Sequence, residues 1–300
     1  MKLLITGAWR CTPEQLNVLR SKGHEITFMQ NETDELPCPY EEVEGIICNG
    51  LFLHHPIEKF TSLRFVQLTS AGFDRMPMDY AKAHTIAVYN ARGVYSVPMA
   101  EFAVCGVLQL YKQSRFFMQN QAKKRWEKHR GLLELGGKNV CIVGCGSVGN
   151  ECAKRFAAFG CNVSGVDLFP REDSLYTEMV GLDGLDGALQ NADIVVLTLP
   201  LTETTRGMIN AERLSKMKDN SVLVNIARGA IVDENALCAA LKNKLLGAAL
   251  DVFEEEPFAT SNPLWDMENV ILTPHNSFVG EHNGERLFAV IKGNLSIGGR

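Results

Sequence analysis

The amino-acid sequence predicts an α/β protein built from two Rossmann-like lobes, each with a doubly wound parallel sheet. Short apolar runs alternate with helical patterns from one end of the chain to the other. This alternation predicts parallel strands joined by crossover helices. The runs of the second half are apolar almost without interruption, which is typical of strands covered on both faces.

Bulk composition bounds the class of protein. A chain of 300 residues can form one large domain or two of ordinary size. Hydrophobic and charged fractions of 46% and 22% are those of a globular protein. A net charge of −5 argues against nucleic acid as the main partner, although a small anion can still bind through local groups. No run approaches about 20 apolar residues, so no membrane association is expected.

The start of the chain and its cysteines predict a cytoplasmic protein. MKLLITG is too short for a signal peptide. Nine cysteines are present, and Cys48, Cys141 and Cys161 lie inside apolar runs, which predicts buried, reduced thiols. Cys141 and Cys145 lack the CxxC spacing of redox or zinc sites, and no metal is expected.

In the first part of the chain, strands are predicted at 2–7, 25–30, 45–50, 64–70 and 86–90. A helix separates the first two strands, because Leu16 and Leu19 share one helical face and Gly23 ends the pattern. These elements predict the smaller lobe.

A longer helix is predicted at about 97–125, where Pro98 falls in the first turn and does no harm. The basic segment KKRWEKHR (123–130) follows. We interpret it as a solvated connector between two lobes, and an anion-binding patch is the alternative.

The second series of strands is predicted at 139–144, 161–167, 193–200, 221–227, 248–253 and 269–275, with helices between them. We therefore expect residues 94–273 to form the larger lobe. Residues 1–93 and 274–300 form the smaller lobe, so the chain crosses between the lobes twice.

The larger lobe contains a glycine-rich turn at Gly144-x-Gly146-x-x-Gly149, after a strand and before a helix. Asp167 ends the next strand, as the dinucleotide-binding fingerprint requires. Gly144 permits the tight turn, Gly146 lets the backbone approach the pyrophosphate, and Gly149 lets helix and strand pack closely. The helix N-terminus offers amides to the phosphates.

Asp167 decides the expected cofactor. A carboxylate there accepts hydrogen bonds from the ribose hydroxyls and repels a 2′-phosphate, which favours NAD. Arg171 lies four residues further on and reaches a 2′-phosphate if the loop turns back, so NADP remains possible.

Three stretches place charged residues after successive strands. They are NIARGAIVDENAL (225–237), GAALDVFEEEP (247–257) and ILTPH (271–275). Ligands of doubly wound sheets gather at the carboxyl ends of the strands. Arg228, one of the acids and His275 are therefore expected to converge beside the cofactor.

With these motifs, the chain resembles the D-isomer-specific 2-hydroxyacid dehydrogenase family. The resemblance also includes SAGFD (70–74), NARGVYSVPMAE (90–101) and LPLTETTRG (199–207), in the family's order. Within the family, the ARGVYS segment (91–96) most resembles glyoxylate and hydroxypyruvate reductases.

The resemblance implies a catalytic set. His275 is the proton donor to the substrate oxygen, Glu256 hydrogen-bonds the imidazole, and Arg228 binds the carboxylate and polarises the 2-oxo group. The neighbouring acids Glu254 and Glu255 are expected to be solvated. This set suits the chemistry, because the oxygen that gains charge during hydride addition needs a proton and an electrostatic partner.

The resemblance also implies contacts to substrate and cofactor. The backbone amides of Ala71 and Gly72 bind the substrate carboxylate. Further cofactor contacts are implied at Ser147, Val148, Pro200, Thr205, Ile226, Ala227 and Asp251, the last near the carboxamide.

The implied activity is NAD(H)-dependent reduction of a small 2-oxo acid to a D-2-hydroxy acid, or the reverse, by a homodimer. Glyoxylate and hydroxypyruvate are the first candidate substrates. The alternatives are lactate or 2-oxoisocaproate types and a short phosphoglycerate dehydrogenase, since 25 residues after His275 leave no room for an appended regulatory domain. A hypothesis of another class is an NAD(H)-sensing binding protein on the same fold.

Overall fold

The computed structural model describes residues 1–298 and divides them into two units. The larger unit is Ser96–Val279, and the smaller combines Met1–Tyr95 with the residues from Gly280 on. The second crossing thus lies six residues beyond the predicted one. The buried Asp251 carboxylate accepts hydrogen bonds from the amides of Asn276 and Ser277, at 2.7 and 2.9 Å, which binds this stretch to the larger unit.

The smaller unit is built on a parallel sheet in the order β2-β1-β3-β4-β5. Its strands are β1 (Lys2–Thr6), β2 (Glu25–Met29), β3 (Gly45–Cys48), β4 (Phe65–Leu68) and β5 (Ala87–Tyr89). Its helices are α1 (Pro13–Ser21), α2 (Met78–Ala83) and, near the C-terminus, α9 (Asn283–Gly298). All five predicted strands are confirmed.

Helix α1 shows why the local sequence fixes these boundaries. The Thr12 hydroxyl accepts a hydrogen bond from the Gln15 amide, and the Gln15 side chain accepts one from the Thr12 amide. This reciprocal pair satisfies amides that the helix leaves free at its start. Pro13 occupies the first turn, and Gly23 follows the end of the helix at φ +83°.

The larger unit is built on a seven-stranded parallel sheet in the order β12-β11-β10-β9-β6-β7-β8. Its strands are β6 (Asn139–Val143), β7 (Asn162–Val166), β8 (Glu178–Val180), β9 (Ile194–Leu197), β10 (Val222–Asn225), β11 (Gly247–Leu250) and β12 (Val270–Leu272). The predicted doubly wound fold is confirmed. Only the short edge strand β8 was not predicted, because three residues carry no readable pattern.

The helices of the larger unit are α3 (Ser96–Tyr111), α4 (Ser114–Ala122), α5 (Ser147–Ala158), α6 (Leu185–Asn191), α7 (Ala211–Lys216) and α8 (Glu234–Asn243). The prediction of one helix over 97–125 was wrong. Gln113 adopts a left-handed conformation at φ 52°, which separates α3 from α4. The basic segment 123–130 is largely exposed, as predicted, but it lies inside the larger unit and joins no lobes.

Buried thiols account for several of the nine cysteines. All nine are free, and Cys48, Cys141 and Cys161 are buried as predicted. Burial raises the pKa of Cys141 to about 12 and that of Cys145 to about 11, so both thiols stay protonated at neutral pH. Among residues 1–298, no helix combines the length and apolarity needed to cross a membrane.

Candidate active site

The glycine-rich turn follows β6, where the strand order of the larger sheet reverses between β6 and β9. Gly144 has φ +102°, and a Cβ there would lie 2.7 Å from the Leu199 nitrogen. A Cβ on Gly149 would lie 2.1 Å from the Gly144 oxygen. A Cβ on Gly146 would meet nothing within 4 Å, so open space lies beside the backbone at that residue. These are the three glycine roles expected of a dinucleotide turn.

Helix α5 begins directly at this turn. Its N-cap is Gly146, which supplies no side-chain acceptor for the first amides of the helix, including those of Ser147 and Val148. Uncapped amides and the positive end of the helix dipole suit an anion. The residues present therefore fit the pyrophosphate of a dinucleotide.

Asp167 and Arg171 both lie at this turn. The half-buried Asp167 carboxylate accepts hydrogen bonds from the amides of Cys145, at 2.7 Å, and Phe169, at 3.0 Å. The Arg171 loop does turn back, because its guanidinium donates to the Cys145 oxygen at 3.0 Å. It also pairs with Asp173 at 3.3 Å. An anion and a cation thus flank the expected ribose position.

The loop after β9 brings Pro200 and Thr205 together. The buried Thr205 hydroxyl donates to the Pro200 oxygen at 2.8 Å and accepts from the Thr202 amide at 2.7 Å. This hydroxyl is therefore engaged in shaping the loop. Because β9 is the neighbour of β6, the loop borders the glycine-rich turn.

The smaller sheet has its own reversal of strand order, between β1 and β3. There the Glu32 carboxylate accepts three hydrogen bonds of 2.7 Å, from the Thr6 hydroxyl and the amides of Asn49 and Gly50. An internal carboxylate thus uses the amides that a bound anion would need. The features of a dinucleotide site lie in the larger unit.

His275 and Glu256 form a hydrogen-bonded pair beyond β11 and β12. Their Nδ1 and Oε2 atoms are 2.8 Å apart. A carboxylate only accepts, so the proton lies on Nδ1 and Nε2 is left for another group. Side-chain exposures of 41% and 37% leave both groups accessible to a small molecule. His275 adopts φ 50°, a conformation rare for non-glycine residues that needs support from its surroundings.

Asp251 supplies that support. Its backbone oxygen accepts from the His275 amide at 2.7 Å. Its wholly buried carboxylate accepts from the Thr273 hydroxyl at 2.7 Å, and from the amides of Asn276 and Ser277. The resemblance implies a place for Asp251 near the carboxamide. The structure shows its carboxylate bonded to the loop that carries His275.

Arg228 lies in a tight turn after β10, preceded by the buried residues Ile226 and Ala227. The buried Asn225 side chain closes this turn. It donates to the Arg228 oxygen at 3.0 Å and accepts from the Ala227 amide at 3.1 Å. A Cβ on Gly229 would lie 1.8 Å from the Phe253 carbonyl carbon, so the Arg228 turn rests against the loop that leads to Glu256.

The backbone carbonyls in and around the Ala71–Gly72 loop of the smaller unit accept hydrogen bonds. The acceptors and donors are Thr69 O with Tyr95 OH, Ser70 O with Ala91 N at 2.8 Å, Ala71 O with Asn90 Nδ2 at 2.6 Å, and Gly72 O with Ser70 Oγ at 3.0 Å. Within residues 1–298, the amides of Ala71 and Gly72 have no hydrogen-bond acceptor. Such an arrangement is able to receive an anion.

The fold and these sites define a class: a dinucleotide unit that also carries an imidazole–carboxylate pair and an arginine at the carboxyl edge of its sheet. The chain belongs to the D-isomer specific 2-hydroxyacid dehydrogenase family, whose NAD binding domain matches residues 104–277. The predicted family and its nicotinamide dinucleotide cofactor are thereby confirmed.

Relatives of the chain carry several substrate names. It is 35% identical to D-3-phosphoglycerate dehydrogenase of Methanocaldococcus jannaschii over 80% of this chain and 48% of that protein. It is 34% identical to (S)-sulfolactate dehydrogenase of Chromohalobacter salexigens over 80% of this chain and 78% of that protein. It is 36% identical to glyoxylate reductase of Thermofilum pendens over 78% of this chain and 74% of that protein. The chain thus spans about half the length of the matched phosphoglycerate dehydrogenases.

Solved structures agree with the fold and contain either cofactor. D-lactate dehydrogenase of Aquifex aeolicus, complexed with NAD and lactic acid, gives a TM-score of 0.78 at 28% identity, covering 99% of this chain and 96% of that one. A D-isomer specific 2-hydroxyacid dehydrogenase of Xanthobacter autotrophicus, complexed with NADPH and MES, gives a TM-score of 0.81 at 28% identity. The match covers 100% of this chain and 95% of that one.

Proposed function

We propose that the protein reduces a small 2-oxo acid to a D-2-hydroxy acid with NADH, and catalyses the reverse oxidation with NAD. The hydrogen-bonded His275–Glu256 pair, next to the Arg228 turn, is the observation that carries this proposal. The pair lies at the carboxyl edge of the sheet that holds the glycine-rich turn. Family membership supports the same reaction class.

In this proposal, a nicotinamide dinucleotide held at the turn Gly144–Gly149 would supply the hydride for the carbonyl carbon. His275 donates the proton from Nε2 to the substrate oxygen as that oxygen gains charge. Glu256 stabilises the protonated imidazole and fixes its orientation through Nδ1. Arg228 binds the carboxylate with two parallel hydrogen bonds and polarises the oxo group. The free amides of Ala71 and Gly72 are a second group able to bind a carboxylate, as the family resemblance implies.

Glyoxylate and hydroxypyruvate are the substrates we propose first. This chain covers about three quarters of the length of relatives that carry these names. Lactate-type, 2-oxoisocaproate-type and phosphoglycerate substrates are the alternatives. An NAD(H)-sensing binding protein is the alternative of another class, because a sensor requires only the dinucleotide turn.

A substrate panel tests the proposal. Oxidation of NADH, followed at 340 nm with glyoxylate, hydroxypyruvate, pyruvate and 2-oxoisocaproate, should show turnover with at least one acid. NADH binding is measured in parallel by fluorescence. Binding without turnover on any acid would favour the sensor and contradict the proposed enzyme.

Cofactor choice gives a prediction at Asp167. The Asp167→Ala variant should raise the ratio of kcat/KM for NADPH over NADH by about tenfold or more. The reason is that the variant removes the repulsion between the Asp167 carboxylate and the 2′-phosphate, and such like-charge contacts cost several kcal/mol. Adding Arg171→Ala should cancel much of this gain, since Arg171 is the cation left beside the 2′-phosphate. A wild-type protein that already prefers NADPH would contradict the assignment of Asp167.

The anion-binding loop gives a prediction at Asn90. Asn90→Ala removes the 2.6 Å bond to the Ala71 oxygen and should raise KM for the 2-oxo acid roughly fivefold, as expected for loss of a bond worth about 1 kcal/mol. NADH affinity should not change. The exposed neighbour Arg92 gives the control variant Arg92→Ala. An unchanged KM in Asn90→Ala would mean that the substrate carboxylate binds elsewhere.

We also propose a homodimer. The surface around α3 and α4 supports it, because Leu108 of α3 and Phe159, at the end of α5, line a groove of about 490 Å³. The exposed Phe117 and Met118 of α4 line an adjoining groove that shares Gln109 and Lys112 with the first. Light scattering coupled to gel filtration should give twice the chain mass of 33.2 kDa. A mass of one chain at micromolar concentration would contradict the dimer.

A further inference from the structure

One side chain fastens the loop that contains Glu256. Glu234 is the first residue of α8, and its Oε1 accepts a hydrogen bond from the Glu254 amide at 2.7 Å. Its Oε2 accepts from the Asn262 side chain at 3.3 Å. The two ends of the segment 254–262 are therefore tied to a single half-buried carboxylate.

Glu256 lies between those two attachment points. Its Oε2 is bonded to His275 Nδ1 at 2.8 Å, and its Oε1 accepts from the Phe253 amide at 3.1 Å. Phe253 directly precedes Glu254, whose amide Glu234 holds. A shift of the Glu254 backbone therefore moves the donor that orients the Glu256 carboxylate.

The first four residues of the segment need this attachment because little else covers them, whereas Phe258 further along stacks on Phe253 and packs against the core. Glu254, Glu255, Glu256 and Pro257 are all exposed. Three successive carboxylates also repel one another, which favours movement of the chain. Burial thus provides little of the order of residues 254–257, and the hydrogen bond from the Glu254 amide to Glu234 provides much of it.

Glu234 is itself held on a rigid element. Helix α8 is N-capped by Asp233, whose side chain accepts from the Ala236 amide at 3.0 Å. Leu237 and Leu241 anchor the helix in the core. An acid in the first turn is also favoured by the helix dipole. The carboxylate of Glu234 is therefore placed by the core and transmits that position to the loop.

We propose that Glu234 is a positioning residue for the His275–Glu256 pair, acting through the Glu254 amide and the Asn262 side chain. This assignment rests on the proposed 2-oxo acid reduction. Glu234 touches neither substrate nor cofactor in this role. Its function is to keep the Glu256 carboxylate in the orientation that the protonated imidazole requires.

Three variants test the assignment. Glu234→Ala should lower kcat about 10- to 100-fold, the range expected when a catalytic group is displaced by about 1 Å. The NADH dissociation constant should remain within twofold of wild type. Glu234→Gln should recover part of the turnover, because its amide oxygen still accepts from the Glu254 amide while its NH2 group cannot accept from Asn262. Glu212→Ala is the matched control, since Glu212 is likewise an acid in the first turn of a helix, α7, and its carboxylate bonds Lys216 and not the Glu256 loop.

Hydrogen–deuterium exchange gives a second readout. Peptides covering 253–262 should exchange faster in Glu234→Ala and at an intermediate rate in Glu234→Gln. If Glu234→Ala does not fold, Glu234→Asp replaces it, because the shorter side chain keeps the charge and does not reach the loop. That variant should also lose turnover, with NADH binding intact.

The outcomes separate this assignment from the proposed function. A wild-type protein that turns over, together with a Glu234→Ala kcat within twofold of it, overturns the role of Glu234 alone. A loss in Glu212→Ala equal to that in Glu234→Ala also overturns it, because removal of any first-turn acid then explains both. Absence of wild-type turnover on every 2-oxo acid overturns the proposed reaction and this assignment together.

Discussion

Replacement of His275 by Gln should lower kcat by about 10²–10⁴, the usual contribution of a general acid or base. Glutamine retains a donor of similar reach but cannot deliver a proton to the substrate oxygen. The NADH dissociation constant should stay within about twofold, because the glycine-rich turn is independent of the imidazole. Stopped-flow turnover and NADH fluorescence titration measure the two quantities.

His282→Gln is the control for this prediction, since His282 is exposed and its imidazole pairs with the nearby acids Glu281 and Glu285. It should leave kcat unchanged. If His275→Gln turns over as fast as the wild-type protein, the imidazole takes no part in the chemistry, whatever the geometry of its bond to Glu256.

Replacement of Arg228 by Lys should lower kcat/KM for the 2-oxo acid by about 10²-fold. Lysine keeps the positive charge but has no planar fork for two parallel bonds to a carboxylate, and a misplaced contact of this kind costs about that factor. The Arg228 Nη1 bond to the Ala227 oxygen, at 2.7 Å, also depends on the guanidinium. Steady-state kinetics with varied 2-oxo acid and saturating NADH give the measurement.

The exposed Arg125 supplies the control variant Arg125→Lys, which should behave as wild type. A loss of less than threefold in Arg228→Lys would show that another group binds the carboxylate. The amides of Ala71 and Gly72 would then be the first alternative.

Much of the fold was predictable because it follows from local patterns. Eleven of the strands were read from apolar runs, and the glycine-rich turn from its spacing and its place between strand and helix. The edge strand β8 and the break at Gln113 were missed. Neither has a sequence pattern, because tertiary packing determines a three-residue strand and one left-handed residue.

The site was predictable only in part. Motif order identified His275, Glu256 and Arg228, and the sheet places them on successive loops. The positioning groups Glu234, Asn225 and Asn90 were missed, although all lie within recognised motifs. Their hydrogen bonds join loops distant along the chain, such as Glu234 with Glu254 and Asn262, and no sequence spacing encodes such a bond. The hydrogen bond that turns the Arg171 loop back to Cys145 could not be predicted from the sequence for the same reason.

A crystal structure with NAD and a bound, unreactive 2-oxo acid analogue tests the central claim most directly. The account predicts that His275 Nε2 lies within about 3.2 Å of the analogue's 2-oxo oxygen, with Nδ1 still bonded to Glu256. Arg228 should contact the analogue's carboxylate in the same complex. An imidazole directed away from the bound analogue in the ternary complex would contradict the account.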